Sequence, residues 1–137
     1  LNFPSTPWNT DDAPLRGLRV LILEDDEDLR ASLAEHCLAA GAEVRDAGDL
    51  KTARDLIDEA AFDLLLTDLQ LPDGSGHDFA LEARVRTAHV RVVALTGRRS
   101  EDEIDASRAA GFDAHVRKPL EAAVLIDLLA AVARRRS

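Results

Sequence analysis

This chain of 137 residues has no methionine, one cysteine, few aromatics and few clustered cations. Cys37 alone cannot close an intramolecular disulfide, so nothing in it points to an oxidising compartment. No apolar run approaches the ~20 residues that span a bilayer, and no charged-then-apolar leader is visible. Lys and Arg total 17 against 26 Asp and Glu, leaving a net charge of −9. The basic residues are scattered except for Arg134, Arg135 and Arg136, which suit the negative end of a helix dipole. A domain that binds nucleic acid by itself needs a basic face, and this one lacks it. The expectation is a cytoplasmic domain with no membrane and no nucleic-acid contact of its own. Leu1 stands where an initiator would, so the chain reads as a fragment or a processed piece, with its output elsewhere.

What is present is ordinary for a folded domain: 46% apolar and 31% charged residues, enough for one hydrophobic core. Residues 1–17 hold three prolines and no sustained periodicity, and read as a linker in which Trp8 is the one large aromatic. From Leu18 a pattern repeats. Apolar runs at 18–23, 42–47, 63–67, 90–95 and 113–117 predict strands. Helical stretches follow each, at about 27–40, 49–60, 77–86, 100–110 and 120–134, with Asp49 and Ser100 as N-caps and Gly41 and Gly111 as stops. Near-continuous apolar runs in the first, third and fourth strands require burial on both faces, hence a parallel sheet covered by helices. The expected fold is α/β: a doubly wound, five-stranded parallel sheet of order 2-1-3-4-5, a flavodoxin-like (βα)5 arrangement over residues 18–137.

In such a sheet, ligands bind beyond the carboxyl ends of the strands. Glu24 and Asp25 follow the first strand, Asp68 the third, Thr96 and Gly97 the fourth, Lys118 and Pro119 the fifth. Carboxylates converging on one point repel, and Lys118 offsets one charge only. A hard divalent cation would offset the rest, and an all-oxygen set suits magnesium. A carboxylate beside that ion, with a lysine and a hydroxyl in reach, can attack phosphorus.

The segments VLILEDDEDLR, LLLTDLQLPDGSG, VVALTG and AHVRKPL resemble, in order, the four signature segments of response-regulator receiver domains of two-component signalling. The resemblance implies that Asp68 is the phosphoacceptor, taking a phosphoryl group from the phosphohistidine of a histidine kinase or phosphotransfer protein. It further implies that Glu24, Asp25, Asp68 and the Gln70 carbonyl hold Mg2+, and that Thr96 and Lys118 bind the phosphoryl oxygens. Pro72 and Gly76 then form the turn after the phosphoacceptor, and Pro119 is a cis proline. Gln70 and Arg98 occupy positions that tune dephosphorylation. The family's switch position on the fifth strand, usually aromatic, is His115. Two readings stand for it: an imidazole that switches with a pH-sensitive element, or a part-exposed histidine of no special role. Asp26 reads as a helix-start acid, with a metal role only if the register shifts by one.

The resemblance implies a signalling domain and not an enzyme, one that supports its own phosphorylation and dephosphorylation. It would switch at the face made by the fourth and fifth strands and the last helix. The last helix is apolar beyond its core stripe of Leu125, Leu128, Leu129 and Val132, which leaves Val124, Ile126 and Ala130 for a partner surface. A homodimer through helix 4, strand 5 and helix 5 is the expectation drawn from it. Rivals fail on single residues. A haloacid-dehalogenase-type phosphoaspartate enzyme needs an acid where Gln70 stands, and a flavin binder would set FMN against Glu24 and Asp25. A pseudo-receiver that serves as an interaction module is the alternative. The parent expected from the linker and the end after the last helix is a hybrid histidine kinase, with a stand-alone receiver as the other option.

Overall fold

A computed structural model describes residues 13–97, 105 and 108–135. Seven strands and four helices are defined among them: β1 (Arg19–Leu23), α1 (Glu27–Ala39), β2 (Glu43–Ala47), α2 (Leu50–Glu59), β3 (Leu64–Asp68), β4 (Gln70–Leu71), β5 (Gly74–Ser75), α3 (Gly76–Arg86), β6 (Arg91–Thr96), β7 (Ala114–Arg117) and a C-terminal helix (Ala122–Arg134). The helix expected over 100–110, with Ser100, Arg98 and Trp8, lies wholly or largely outside the described residues.

The main sheet runs β2-β1-β3-β6-β7, all parallel, which is the 2-1-3-4-5 order once the short β4–β5 ribbon is set aside. Alternate residues of the central strands feed two separate cores, as period-two side chains must. Val20, Ile22, Leu64, Leu66, Val93 and Leu95 pack with α1 and the C-terminal helix. Leu21, Leu23, Leu65, Val92 and Ala94 pack on the other face with α2 and α3. Cys37 belongs to the first core, where burial pushes its thiol up to about 12 and keeps it a small apolar filler.

Two differences from the sequence reading concern the edges of this core. Leu15, placed in a linker by its proline-rich surroundings, is fully buried, and its N–H donates to Ala40 O at 2.9 Å. A Cβ on Gly41 would lie 2.9 Å from Ala13 Cβ, so the 13–17 segment rests on the α1–β2 turn. Burial of one leucine stabilises by about 2 kcal/mol, enough to hold so short a segment down. In the C-terminal helix, Ile126 and Ala130 are buried, not exposed. The helix is wedged against both α1 and β6, which widens its buried stripe; of the expected apolar strip only Val124 stands out in solvent, beside a half-buried Leu128. The surface available for the expected dimer is correspondingly narrower. Among the described residues no helix is long and apolar enough to cross a membrane.

Candidate functional site

Register brings the strand ends level. Leu23 pairs with Thr67, so Glu24 follows β1 at the height of Asp68; Asp68 pairs with Leu95, and Thr96 with Arg117. The loops leaving these strands enclose a concave site of ≈ 340 Å³ lined by Asp25, Asp68, Leu69, Gln70, Leu95, Thr96, Gly97 and Lys118.

Each acid is held differently. Glu24 is wholly buried; its Oε2 accepts from the Asp26 N–H at 3.1 Å, and its Oε1 is in close ion-pair contact with Lys118. Burial pushes its pKa up, Lys118 and the Asp26 amide pull it back, and the Asp25 and Asp68 carboxylates add to the rise. Asp68, with its side chain 13% exposed, accepts at Oδ1 from the Gln70 N–H at 3.2 Å and at Oδ2 from Lys118 Nζ at 3.1 Å. Asp25 is exposed at the mouth. Burial opposes the charge of Lys118, but Glu24 and Asp68 outweigh it and hold the ammonium's pKa above its usual value. Its backbone N–H donates to Thr96 O at 2.8 Å, and the Lys118–Pro119 peptide is cis.

One oxygen from each of Glu24, Asp25 and Asp68 lies within 4.8 Å of the others. Glu24 and Asp68 share one ammonium, and Asp25, the third acid, has no ion pair among the described residues. That donor set, all hard oxygen and net negative, fits a magnesium ion. Asp26 is not one of the three; its side chain accepts from the Leu29 N–H at 2.9 Å and caps α1.

Thr96 is buried, and its hydroxyl donates to Val116 O at 3.4 Å, across to β7. His115 sits one pair back on β7, opposite Ala94. Its ring is stacked on Phe112 at 6.4 Å, His77 is tilted against the same Phe112 at 5.3 Å, and the His115 Nε2 is buried without a hydrogen bond. Pro72 lies at the turn of the β4–β5 ribbon. Gly76 ends the ribbon where a Cβ would come 2.0 Å from Asp68 O, so no other residue fits there without moving the chain.

Two positions escaped the sequence reading. Arg30 of α1 donates to Glu24 O at 2.9 Å and pairs with Asp46 at 3.2 Å, bracing the loop that carries Glu24 and Asp25. Asp73 reaches from the ribbon to the start of α2. An arginine two residues past an acidic run was the only available signal for the first; the second gave none.

The sequence profile of the response regulator receiver domain matches residues 20–130. The chain belongs to that family. It is 35% identical over 120 residues to the response regulator protein PilR of Pseudomonas aeruginosa, covering 87% of this chain and 27% of PilR. With the sensory transduction protein RegX3 of Mycobacterium tuberculosis H37Rv it shares 38% over 116 residues, 85% of this chain and 51% of that protein. A crystal structure of a CheY-like response regulator receiver domain protein from Methanospirillum hungatei superposes with a TM-score of 0.80 at 27% identity, covering 85% of this chain and 93% of that one. The receiver thus spans about half or less of these curated relatives.

Proposed function

We propose that this receiver accepts a phosphoryl group on Asp68 from the phosphohistidine of a histidine kinase or phosphotransfer protein. The observation that carries the reading is the placement of Asp68: aimed by Gln70 and Lys118, beside two further acids, and open to a site large enough for a phosphoryl group. A carboxylate oxygen of Asp68 attacks phosphorus; the new P–O bond forms as the P–N bond breaks, and the imidazole leaves and takes up a proton. Glu24, Asp25, Asp68 and the Gln70 carbonyl would hold Mg2+, which when bound neutralises the acids and the phosphoryl oxygens. Lys118 already touches the nucleophile, so it can follow the charge from carboxylate to phosphoryl oxygen as a compact cation. The Thr96 hydroxyl makes only a long bond to Val116 O, which it can exchange for a phosphoryl oxygen. Releasing that bond would let the change reach β7, where His115 lies, and the adjoining C-terminal helix. Gln70 and Arg98 would set how readily water removes the group.

A pseudo-receiver is the weaker reading, because every charged group the transfer needs is present and converges. Amide NMR on the chain decides it: magnesium, then magnesium with beryllofluoride as an acyl-phosphate mimic, should shift Asp68, Thr96 and Lys118, then His115 and the C-terminal helix. Asp68→Asn should abolish the beryllofluoride response. Absence of both responses in the parent chain would leave an interaction module.

A further inference from the structure

The β4–β5 ribbon is held at both of its ends. At its base the Gly76 N–H donates to Leu69 O at 3.1 Å, and the Thr67 hydroxyl donates to Asp68 O at 2.8 Å. At its tip Asp73 accepts from two backbone amides of another element: Leu50 N–H at Oδ1, 2.8 Å, and Lys51 N–H at Oδ2, 3.2 Å. Those amides belong to the first turn of α2, where the helix itself offers no acceptor. The side chain of Asp49, the N-cap of α2, takes the Thr52 N–H, at 2.8 Å. The fit is close as well as polar. A Cβ on Gly74 would lie 2.6 Å from Leu50 Cδ1, and Leu71 packs against the core that buries Leu50.

The ribbon in turn sets the nucleophile. Gln70 pairs with Ser75 and Leu71 with Gly74, and it is the Gln70 N–H that aims Asp68 Oδ1. We propose that Asp73 is a positioning residue for the acidic site: by tying the ribbon tip to α2, it fixes the Gln70 amide that orients Asp68 and the Gln70 carbonyl offered to the metal. The inference rests on the reading of the site given above. It has a reciprocal consequence. If α2 steadies the loaded site, loading must steady the first amides of α2, so occupancy is transmitted to a helix outside the β6–β7 face.

The test uses the full chain and four forms: the parent, Asp73→Ala, Asp73→Asn and Asp49→Ala. Magnesium affinity is read by amide NMR, and hydrogen exchange at Leu50 and Lys51 is followed without and with magnesium plus beryllofluoride. Asp73→Ala should bind magnesium about tenfold more weakly, as loss of an outer-shell support does. Asp73→Asn keeps one acceptor oxygen and should fall between it and the parent. Asp49→Ala removes a cap from the same helix without touching the ribbon, and should bind like the parent. In the parent, loading should slow exchange at Leu50 and Lys51. Equal affinity in parent and Asp73→Ala would overturn the proposal. So would equal weakening by Asp49→Ala, because helix stability alone would then explain the effect. Should Asp73→Ala not fold, Asp73→Asn and the exchange response of the parent decide. A parent that binds neither probe would bring down the reading of the site itself, and this proposal with it.

Discussion

Asp63 leads into β3 and Asp68 ends it, so one buried strand carries an aspartate at each end, and the two are treated in opposite ways. Asp63 is fully engaged: Oδ2 accepts from the Arg19 backbone N–H at 2.9 Å and from Arg19 Nε at 3.2 Å, while Oδ1 faces the second guanidinium nitrogen at 3.4 Å. Burial works against its charge, but Arg19 holds its pKa below the usual value. At the same end of the sheet, ahead of β7, Asp113 takes Val92 N–H at 2.7 Å and pairs with Arg84 at 3.3 Å. At this end of the sheet Asp63 and Asp113 are each paired with an arginine. At the other end three acids cluster around a site where Lys118 alone is paired, with Glu24 and Asp68. The same residue type at the same strand is thus spent on structure at one end and left short of partners at the other. Shortage of partners, more than presence of charge, marks the end where a metal and a phosphoryl group would be at home.

The largest break in this comparison comes from backbone crowding at the acidic end. Gly76→Ala forces a Cβ to within 2.0 Å of Asp68 O and 3.0 Å of Thr67 Oγ1, and neither can retreat, since each belongs to the central strand. The ribbon must move. We expect a loss of about 3 kcal/mol in urea unfolding, the upper range for overpacking a rigid site, together with loss of the magnesium response. Adding a methyl group at Gly97, at the same edge, meets nothing within 4 Å and should leave stability nearly unchanged.

Smaller effects test the two aspartates directly. Asp63→Ala strands the Arg19 amide and unpairs its guanidinium, and should cost about 1–2 kcal/mol near neutral pH. Asp68→Ala removes one of three repelling acids while leaving Lys118 with Glu24, and should stay within about 0.5 kcal/mol of the parent. The sign with pH follows from the depressed pKa of Asp63. Its stabilisation is present above the unfolded value, about 3.9, and is lost as pH falls through the folded one. Parent and Asp63→Ala should therefore converge in stability as the solution is taken below about pH 4. A difference that persists there would mean that Asp63 acts through packing and not through its charge.

How much of this could be read in the chain divides along the distance over which each contact acts. Apolar runs ending in Glu24, Asp68, Thr96 and Lys118 placed the strands and their order, and local spacing placed Asp49 as the cap of α2, since Thr52 lies one turn on. Contacts between distant segments left no such trace. Asp73 meets Leu50 across 23 positions and Asp63 meets Arg19 across 44, and neither pairing has a period or a motif. Leu15 was hidden by the prolines around it, which remove periodicity without preventing burial. Ile126 and Ala130 lay off the stripe that a helix on a single neighbour would bury, and this helix has two.

The mildest test concerns His115, where the acidic end meets β7. The ring stacks on Phe112, and its Nε2 is buried without a hydrogen-bond partner. Burial lowers its pKa, and the Arg108 and His77 charges lower it further, while its strand partner Ala94 brings no compensating acid. A histidine depressed in this way is held neutral by the fold. Its contribution is intact above the unfolded value of about 6.5 and is lost as pH falls through the lower folded value, because the unfolded chain takes up the proton first. The ring is partly exposed, so solvent screening keeps the effect below about 1 kcal/mol. His115→Phe preserves the stack and removes the proton site. Urea unfolding at about pH 7.5 and 5.5, on either side of the unfolded value, should show the parent losing more stability than the variant. Equal losses would mean that the imidazole reaches solvent when it protonates, and that His115 is a spacer beside the site and not a sensor within it.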